Sequence, residues 1–121
     1  MGIGVDAVDV ARFRTILART PTMASRLFTD GERRYAATAL DPAARLAARF
    51  AAKEAVMKVL GVGLGAFGFH DVEVLRAGSG APCLAITGRA AALAQERGAD
   101  RWCLSLTHTE RTAVAVALAT G

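Results

Sequence analysis

Asp6, Glu54, Lys58 and His108 are the side chains of this 121-residue sequence whose types and spacing invite chemistry. Asp6 ends the run Gly2-Ile3-Gly4-Val5-Asp6, in which Gly2, Gly4 and Asp6 share one face of a period-two segment. A bulky group can approach bare backbone there and meet a carboxylate at its end. Glu54 and Lys58 are four residues apart, as are Arg49 and Lys53, so each pair is adjacent on a helix surface. Three cations and one carboxylate thus run along two ridges towards the glycine-rich stretch that starts at Gly61. Each feature also has an ordinary reading: Asp6 as a helix cap, Glu54 and Lys58 as a solvated pair, Lys53 as a lysine whose stem covers apolar surface. Ala47, Ala48, Ala51 and Ala55, crowded around these charges, weigh against that reading.

Some chemistries are excluded. Gly61-Val62-Gly63-Leu64-Gly65 follows a helix instead of leading into one, the reverse of phosphate-loop and dinucleotide fingerprints. His108 ends an alternating run and reads as a rim residue; His70 reads as surface. No HxH, HExxH or GxSxG occurs, so zinc and serine-hydrolase chemistry have no support. Cys83 and Cys103 lack ligand spacing and are expected to be buried, unpaired thiols.

The elements that must position these residues follow from periodicity. Ile3 and Val5 alternate with Gly2, Gly4 and Asp6 as a strand; from Val8 to Arg19 the apolar stripe Val10, Phe13, Ile16, Leu17 has helical spacing. Thr20-Pro21 stops that helix, and Thr29 or Asp30 caps a second. Asp41-Pro42 opens a helix that runs without breakers to Leu60, with Asp41 as its N-cap and Gly61 closing it. Residues 71–77 and 83–87 form a hairpin across Gly78-Ser79-Gly80-Ala81-Pro82, a further helix fits 88–97, and 101–109 with 112–119 form a second hairpin. The order predicts one α+β domain over residues 1–121, with a small, mainly antiparallel sheet, a long central helix and shorter helices.

Composition sets the class of partner. The chain has 15 Lys+Arg against 11 Asp+Glu, and the whole excess of +4 lies in the first 60 residues. Thirteen of the cations are Arg, the side chain that forks onto phosphate or carboxylate, so an anionic partner is expected. Seven aromatic residues, mostly Phe in apolar periods, offer no stacking platform, so a basic RNA- or nucleotide-binding module is the lesser reading and no nucleic-acid partner is expected. No uncharged stretch approaches the roughly 20 residues that span a bilayer, and the opening residues lack a basic-then-apolar leader. No membrane association is expected, and a cytoplasmic location is.

Taken together, Gly2-Ile3-Gly4-Val5-Asp6 with Arg12, Arg49-Phe50-Ala51-Ala52-Lys53-Glu54-Ala55 with Lys58 and Gly61, Gly80-Ala81-Pro82, and Leu104-Ser105-Leu106-Thr107-His108 resemble, in order and spacing, the small stand-alone holo-acyl-carrier-protein synthases, 4′-phosphopantetheinyl transferases. The resemblance covers nearly the whole chain. It implies a cytosolic homotrimer with active sites at subunit interfaces, Mg²⁺ (Mn²⁺ being the alternative) held by Asp6 and Glu54, and coenzyme A as phosphopantetheine donor. It further implies that Arg49, Lys53, Lys58, Gly61, Pro82, Thr107 and His108 belong to the coenzyme A site, with Lys58 against the pyrophosphate. The implied reaction is attack of a carrier-protein serine on the β-phosphorus, releasing 3′,5′-ADP, with Glu54 taking the proton directly or through water. The acceptor is an acyl carrier protein of fatty-acid or polyketide synthesis, an acidic partner that suits the cationic first half; Arg12, Arg14 and Arg26, with Ile16 and Met23 as apolar contacts, are its expected docking face. A catalytically inactive subunit of the same fold is disfavoured, because Asp6, Glu54, Lys58 and His108 are all present.

Overall fold

The computed structural model describes residues Met1–Gly121. In chain order the elements are β1 (Gly2–Asp9), α1 (Val10–Arg19), α2 (Met23–Leu27), α3 (Asp30–Ala37), α4 (Pro42–Leu60), a 3-10 turn (Phe69–Asp71), β2 (Val72–Arg76), β3 (Pro82–Ile86), α5 (Gly88–Glu96), β4 (Arg101–His108) and β5 (Thr112–Thr120). The strands form two antiparallel sheets instead of the one expected: β1-β5-β4 and the β2-β3 hairpin. Strand β1 runs three residues past Asp6, because β5 is long enough to carry the pairing from Gly2↔Ala119 through to Asp9↔Thr112. Asp9, not Asp6, therefore caps α1, its side chain accepting the Arg12 amide at 2.9 Å. That leaves the Asp6 carboxylate available.

Helix α4 lies between two apolar clusters and is buried nearly all round. Ala51, Ala52, Ala55, Val56, Met57 and Leu60 pack with Ala115 and Ala117 of β5, Val72 and Val74 of β2, and Ala90 and Ala94 of α5. Ala44, Leu46, Ala47 and Ala48 pack with Val10, Phe13, Leu27, Phe28 and Ala36. Alanine on both sides of the contact adds little apolar area but lets backbones approach closely, while fully buried Phe28, Leu60 and Val56 each contribute roughly 1.5–3 kcal/mol. Pro42 occupies the first turn of α4 as expected, but the Asp41 side chain makes no cap: its Oδ2 accepts from Arg14 at 2.6 Å. That hydrogen bond holds the Asp41 carboxyl below the ordinary carboxylate range. Gly61, in the left-handed region at φ 67°, ends α4, with its amide on Lys58 O and the Val62 amide on Met57 O.

Both cysteines are exposed, contrary to expectation. In β4 the side chains of Trp102, Leu104 and Leu106 turn towards the core, so period two places Cys103 on the opposite face. That outer face is apolar and uncovered: Ile3 and Val5 are 70% and 53% exposed, opposite Leu118 and Val116.

Candidate active site

The bare face of β1 receives α4 itself. A Cβ on Gly4 would stand 2.1 Å from the Ala55 carbonyl oxygen, and one on Gly2 3.0 Å from Val59 Cγ1. This close approach carries Asp6 to Glu54. The two carboxylates line one cleft with Asp9, Arg12, Phe13, Ile16 and Phe50. Lys58, one turn beyond Glu54, donates from Nζ to the Val5 carbonyl at 2.9 Å and to Asp6 Oδ1 at 3.1 Å. Burial raises the Glu54 pKa above its ordinary value, the neighbouring Asp6 charge raises it further, and Lys58 opposes both.

Two like charges, with a lysine on one of them, are relieved by a small divalent cation. Mg²⁺ takes one or two protein carboxylates and completes its shell with phosphate oxygens and water. The donor set fits that ion. No cluster of three or more His, Cys, Asp or Glu supplies a fuller protein cage elsewhere.

Beside the cleft, and sharing Phe13, Ile16 and Phe50 with it, opens an apolar cavity of about 670 Å³, also lined by Met23, Arg26, Leu27, Leu64, Gly68 and Phe69. Its floor is an aromatic row: the Phe13 and Phe50 ring centroids are 5.3 Å apart, and those of Phe50 and Phe69 5.9 Å. Three of the five expected docking residues, Ile16, Met23 and Arg26, thus share one cavity, and Arg12 stands on the adjoining cleft. Arg14 does not: its guanidinium is engaged by Asp41.

Lys53 has a different placement from the one its motif suggests. It is fully buried, and its ammonium donates to Glu32 Oε1 and the Phe69 carbonyl, both at 2.9 Å, and to the Val72 carbonyl. Desolvation lowers its pKa, and the Glu32 carboxylate pulls the other way. All three donors of the ammonium are satisfied inside the protein, so Lys53 has none left for a ligand. It ties the 3-10 turn, and with it Phe69, to α4. Glu32 completes the hub, accepting the Thr29 amide in a capping box and the Val74 amide.

Arg49 points away from the acids, with its Cζ 4.6 Å from the Tyr35 ring centroid. Five residues of α4 turn it about 140° from Glu54, so the two face different surfaces. Pro82 pairs with Arg76 on the hairpin near that second surface. Thr107 and His108 are exposed at the end of β4, opposite Val114 and Ala113. The chain therefore gathers Asp6, Glu54 and Lys58 in one place and Arg49 in another. Sequence reasoning missed the surroundings of Arg49, where Arg45, Arg76 and Tyr35 converge. Only the spacing of Arg45 and Arg49, four apart, hinted at it.

A strand and helix in backbone contact thus bring two acids and a lysine together beside an apolar cavity. The chain belongs to the 4′-phosphopantetheinyl transferase superfamily, whose sequence model matches residues 2–118. It is 51% identical over 119 residues to a holo-[acyl-carrier-protein] synthase of Frankia alni, spanning 98% of this chain and 96% of that one. Its fold matches the crystal structure of the holo-[acyl-carrier-protein] synthase of Neisseria meningitidis with a TM-score of 0.88 at 31% identity, over 99% of this chain and 98% of that one. It also matches a Chronobacterium ammoniagenes ACPS-CoA complex, with a TM-score of 0.87 at 31% identity, over 98% and 96% of the two chains.

Proposed function

We propose that this chain, as one domain over residues 1–121, transfers 4′-phosphopantetheine from coenzyme A to a serine of an apo acyl carrier protein and releases 3′,5′-ADP. One observation carries the reading: Asp6 and Glu54, far apart in sequence, line one cleft with Lys58 on Asp6. In the reaction the serine oxygen bonds to the β-phosphorus, the bond from that phosphorus to the oxygen of the departing 3′,5′-ADP breaks, and the serine proton leaves. Asp6 and Glu54 would hold Mg²⁺, which neutralises charge on the pyrophosphate when bound. Lys58 has three donors and uses two on Val5 and Asp6. The third is free for a pyrophosphate oxygen, where charge builds as the leaving group departs. The serine proton would pass to Glu54, directly or through water. Phe13, Phe50 and Phe69 wall the approach with apolar surface.

The carrier protein docks on Arg12, Arg26, Ile16 and Met23, where an apolar cavity is edged by cations. Arg49 and Glu54 face different surfaces of α4, an arrangement in which a second copy would supply one of them to a given coenzyme A. The uncovered apolar face of β1 and β5 provides the contact for such copies, and a homotrimer with shared sites satisfies both observations. In that assembly Arg49, Gly61, Pro82, Thr107 and His108 border the donor. No helix is long and apolar enough to cross a membrane, which suits work in the cytoplasm on fatty-acid or polyketide carriers.

Incubation with coenzyme A, Mg²⁺ and an apo carrier protein should give a carrier heavier by one phosphopantetheine on mass spectrometry. Chelation, Asp6→Ala and Glu54→Ala should each abolish the gain. No gain with the parent protein, or an undiminished gain in either variant, would overturn the reading.

A further inference from the structure

We propose that His70 is a positioning residue for the carrier-docking face, its ring fixing the rotation of α2 and thereby setting Met23 and Arg26 against the aromatic row. The inference rests on the docking face proposed above and adds His70 to it.

Three consecutive residues of the 3-10 turn reach three different helices. The Phe69 carbonyl accepts from the Lys53 ammonium of α4 at 2.9 Å. The Asp71 carboxylate accepts from the Arg89 and Ala90 amides in the first turn of α5, at 3.0 and 3.3 Å. Between them, His70 Nε2 stands 2.8 Å from the Ser25 carbonyl oxygen of α2. A carbonyl oxygen only accepts, so Nε2 carries the hydrogen. Two of the three contacts hold the turn, and through the third the turn holds α2.

Helix α2 needs such a hold. It has five residues, Met23–Leu27, and no side chain caps its N-terminus. A helix this short is not stable by itself and depends on its surroundings. Leu27 and Phe28 bury its C-terminal end, but apolar burial is non-directional and leaves rotation about the axis loosely set. The other hydrogen bonds of residues 23–28 stay within residues 20–28: the Met23 amide donates to the Thr20 carbonyl, the Arg26 amide and the Ser25 hydroxyl to the Thr22 carbonyl, and the Phe28 amide to the Ala24 carbonyl. The His70 bond is the one that leaves the segment, spanning 45 residues of sequence.

Rotation matters because of what α2 carries. Met23 and Arg26 are three residues apart and share a face of the helix. Both line the apolar cavity opposite Phe50 and Phe69. Tying the Ser25 carbonyl to the residue that follows Phe69 therefore fixes an apolar contact and a cation of the docking face to the aromatic wall they work with.

Side-chain length makes the test selective. Glutamine places its NH₂ the same number of bonds from Cα as His70 Nε2, whereas asparagine stops at the reach of Nδ1. His70→Gln should keep the bond, and His70→Ala and His70→Asn should lose it. In the two losing variants KM for an apo carrier protein should rise about 3- to 10-fold, the range of one net hydrogen bond. Their kcat, and coenzyme A affinity measured without carrier, should stay at the parent's values, and His70→Gln should match the parent throughout. His70→Ala should be non-additive with Arg26→Ala and additive with Arg12→Ala, which lies on α1. Hydrogen exchange of the Arg26 and Phe28 amides in the free protein should quicken in the Ala and Asn variants only.

Unchanged exchange, or His70→Asn behaving as His70→Gln does, overturns the anchor. Faster exchange with an unchanged carrier KM, in a protein where Arg26→Ala does weaken the carrier, overturns the positioning role and leaves the docking face standing. If Met23→Ala and Arg26→Ala both leave the carrier KM unchanged, the docking face itself falls, and the exchange comparison still decides whether His70 holds α2. His70 is exposed, so its variants should fold and each of these outcomes can be read.

Discussion

Gly4→Ala is the smallest change that should separate the two acids. The added Cβ would stand 2.1 Å from the Ala55 carbonyl oxygen and 3.1 Å from Val59 Cγ2. Restoring ordinary contact requires β1 and α4 to part by roughly 1 Å, because the obstacle is backbone and cannot rotate aside. Overpacking of this kind costs about 1–3 kcal/mol, which for a chain of this size lowers the melting temperature by roughly 4–12 °C. The functional effect should be larger than the loss of stability. Ala55 directly follows Glu54, so the same displacement moves Glu54 and Lys58 away from Asp6. A misplacement of about 1 Å can lower the rate by about 100-fold. Thermal melts should be run beside kcat/KM and Mg²⁺ affinity, with Gly78→Ala as the control, since a Cβ there meets nothing within 4 Å. Val59→Ala should not rescue Gly4→Ala, because it relieves only the secondary contact. A Gly4→Ala protein that keeps kcat/KM within about threefold of the parent, or that Val59→Ala restores, would show that this backbone contact does not set the acids.

Other perturbations probe the same framework. Lys53→Met leaves Glu32 as an unpaired buried charge and should cost about 3–5 kcal/mol, whereas the double variant Glu32→Gln/Lys53→Met should cost less than the two single changes added together; additive losses in denaturant titrations would exclude the coupling. Glu54 has a raised pKa, so the stability it contributes is full below the ordinary value of 4.5 and is lost as pH rises through its folded pKa. Glu54→Gln, measured in chelator, should therefore gain on the parent as pH rises from 4 towards 8 while activity is lost, and a gap independent of pH would contradict this. Arg12→Ala should weaken carrier-protein binding in a way that shrinks with added salt and leave coenzyme A binding alone, whereas equal loss of both would remove Arg12 from the docking face. Arg14→Ala should have the smaller effect on the carrier, because Asp41 already neutralises that guanidinium.

What the sequence made legible follows from where periodicity and local chemistry govern. The helix from Pro42 to Leu60 begins and ends at the expected residues, since Pro at its start and Gly at its end are backbone constraints that tertiary contacts do not override. Hairpin and strand order were likewise readable from alternation. Asp41 shows the limit: its type predicted a cap, yet Arg14, on a helix whose packing the sequence does not display, takes the carboxylate instead. Cys103 shows a second limit: an apolar run does not say which of its two faces meets the core, and this thiol lies on the other one.

The site divides in the same way. Asp6, Glu54 and Lys58 could be named from residue type and spacing, but their meeting depends on the absence of two Cβ atoms in β1, which lets the Ala55 carbonyl approach the strand, and hence on backbone distance. Lys53 and Lys58 look alike in one motif and differ completely in use. The 100° advance per residue turns Lys53 inward to Glu32 and the Phe69 and Val72 carbonyls, and Lys58 outward along β1 to Asp6. One lysine thus fixes the aromatic wall of the apolar cavity while the other stands at the Asp6 carboxylate, and the register of α4 against β1 decides which does which. A shift of one residue in that register would put Ala52 or Glu54 where Lys53 meets Glu32 and take Glu54 from the cleft, so the close approach at the glycines of β1 fixes the arrangement as well as permits it.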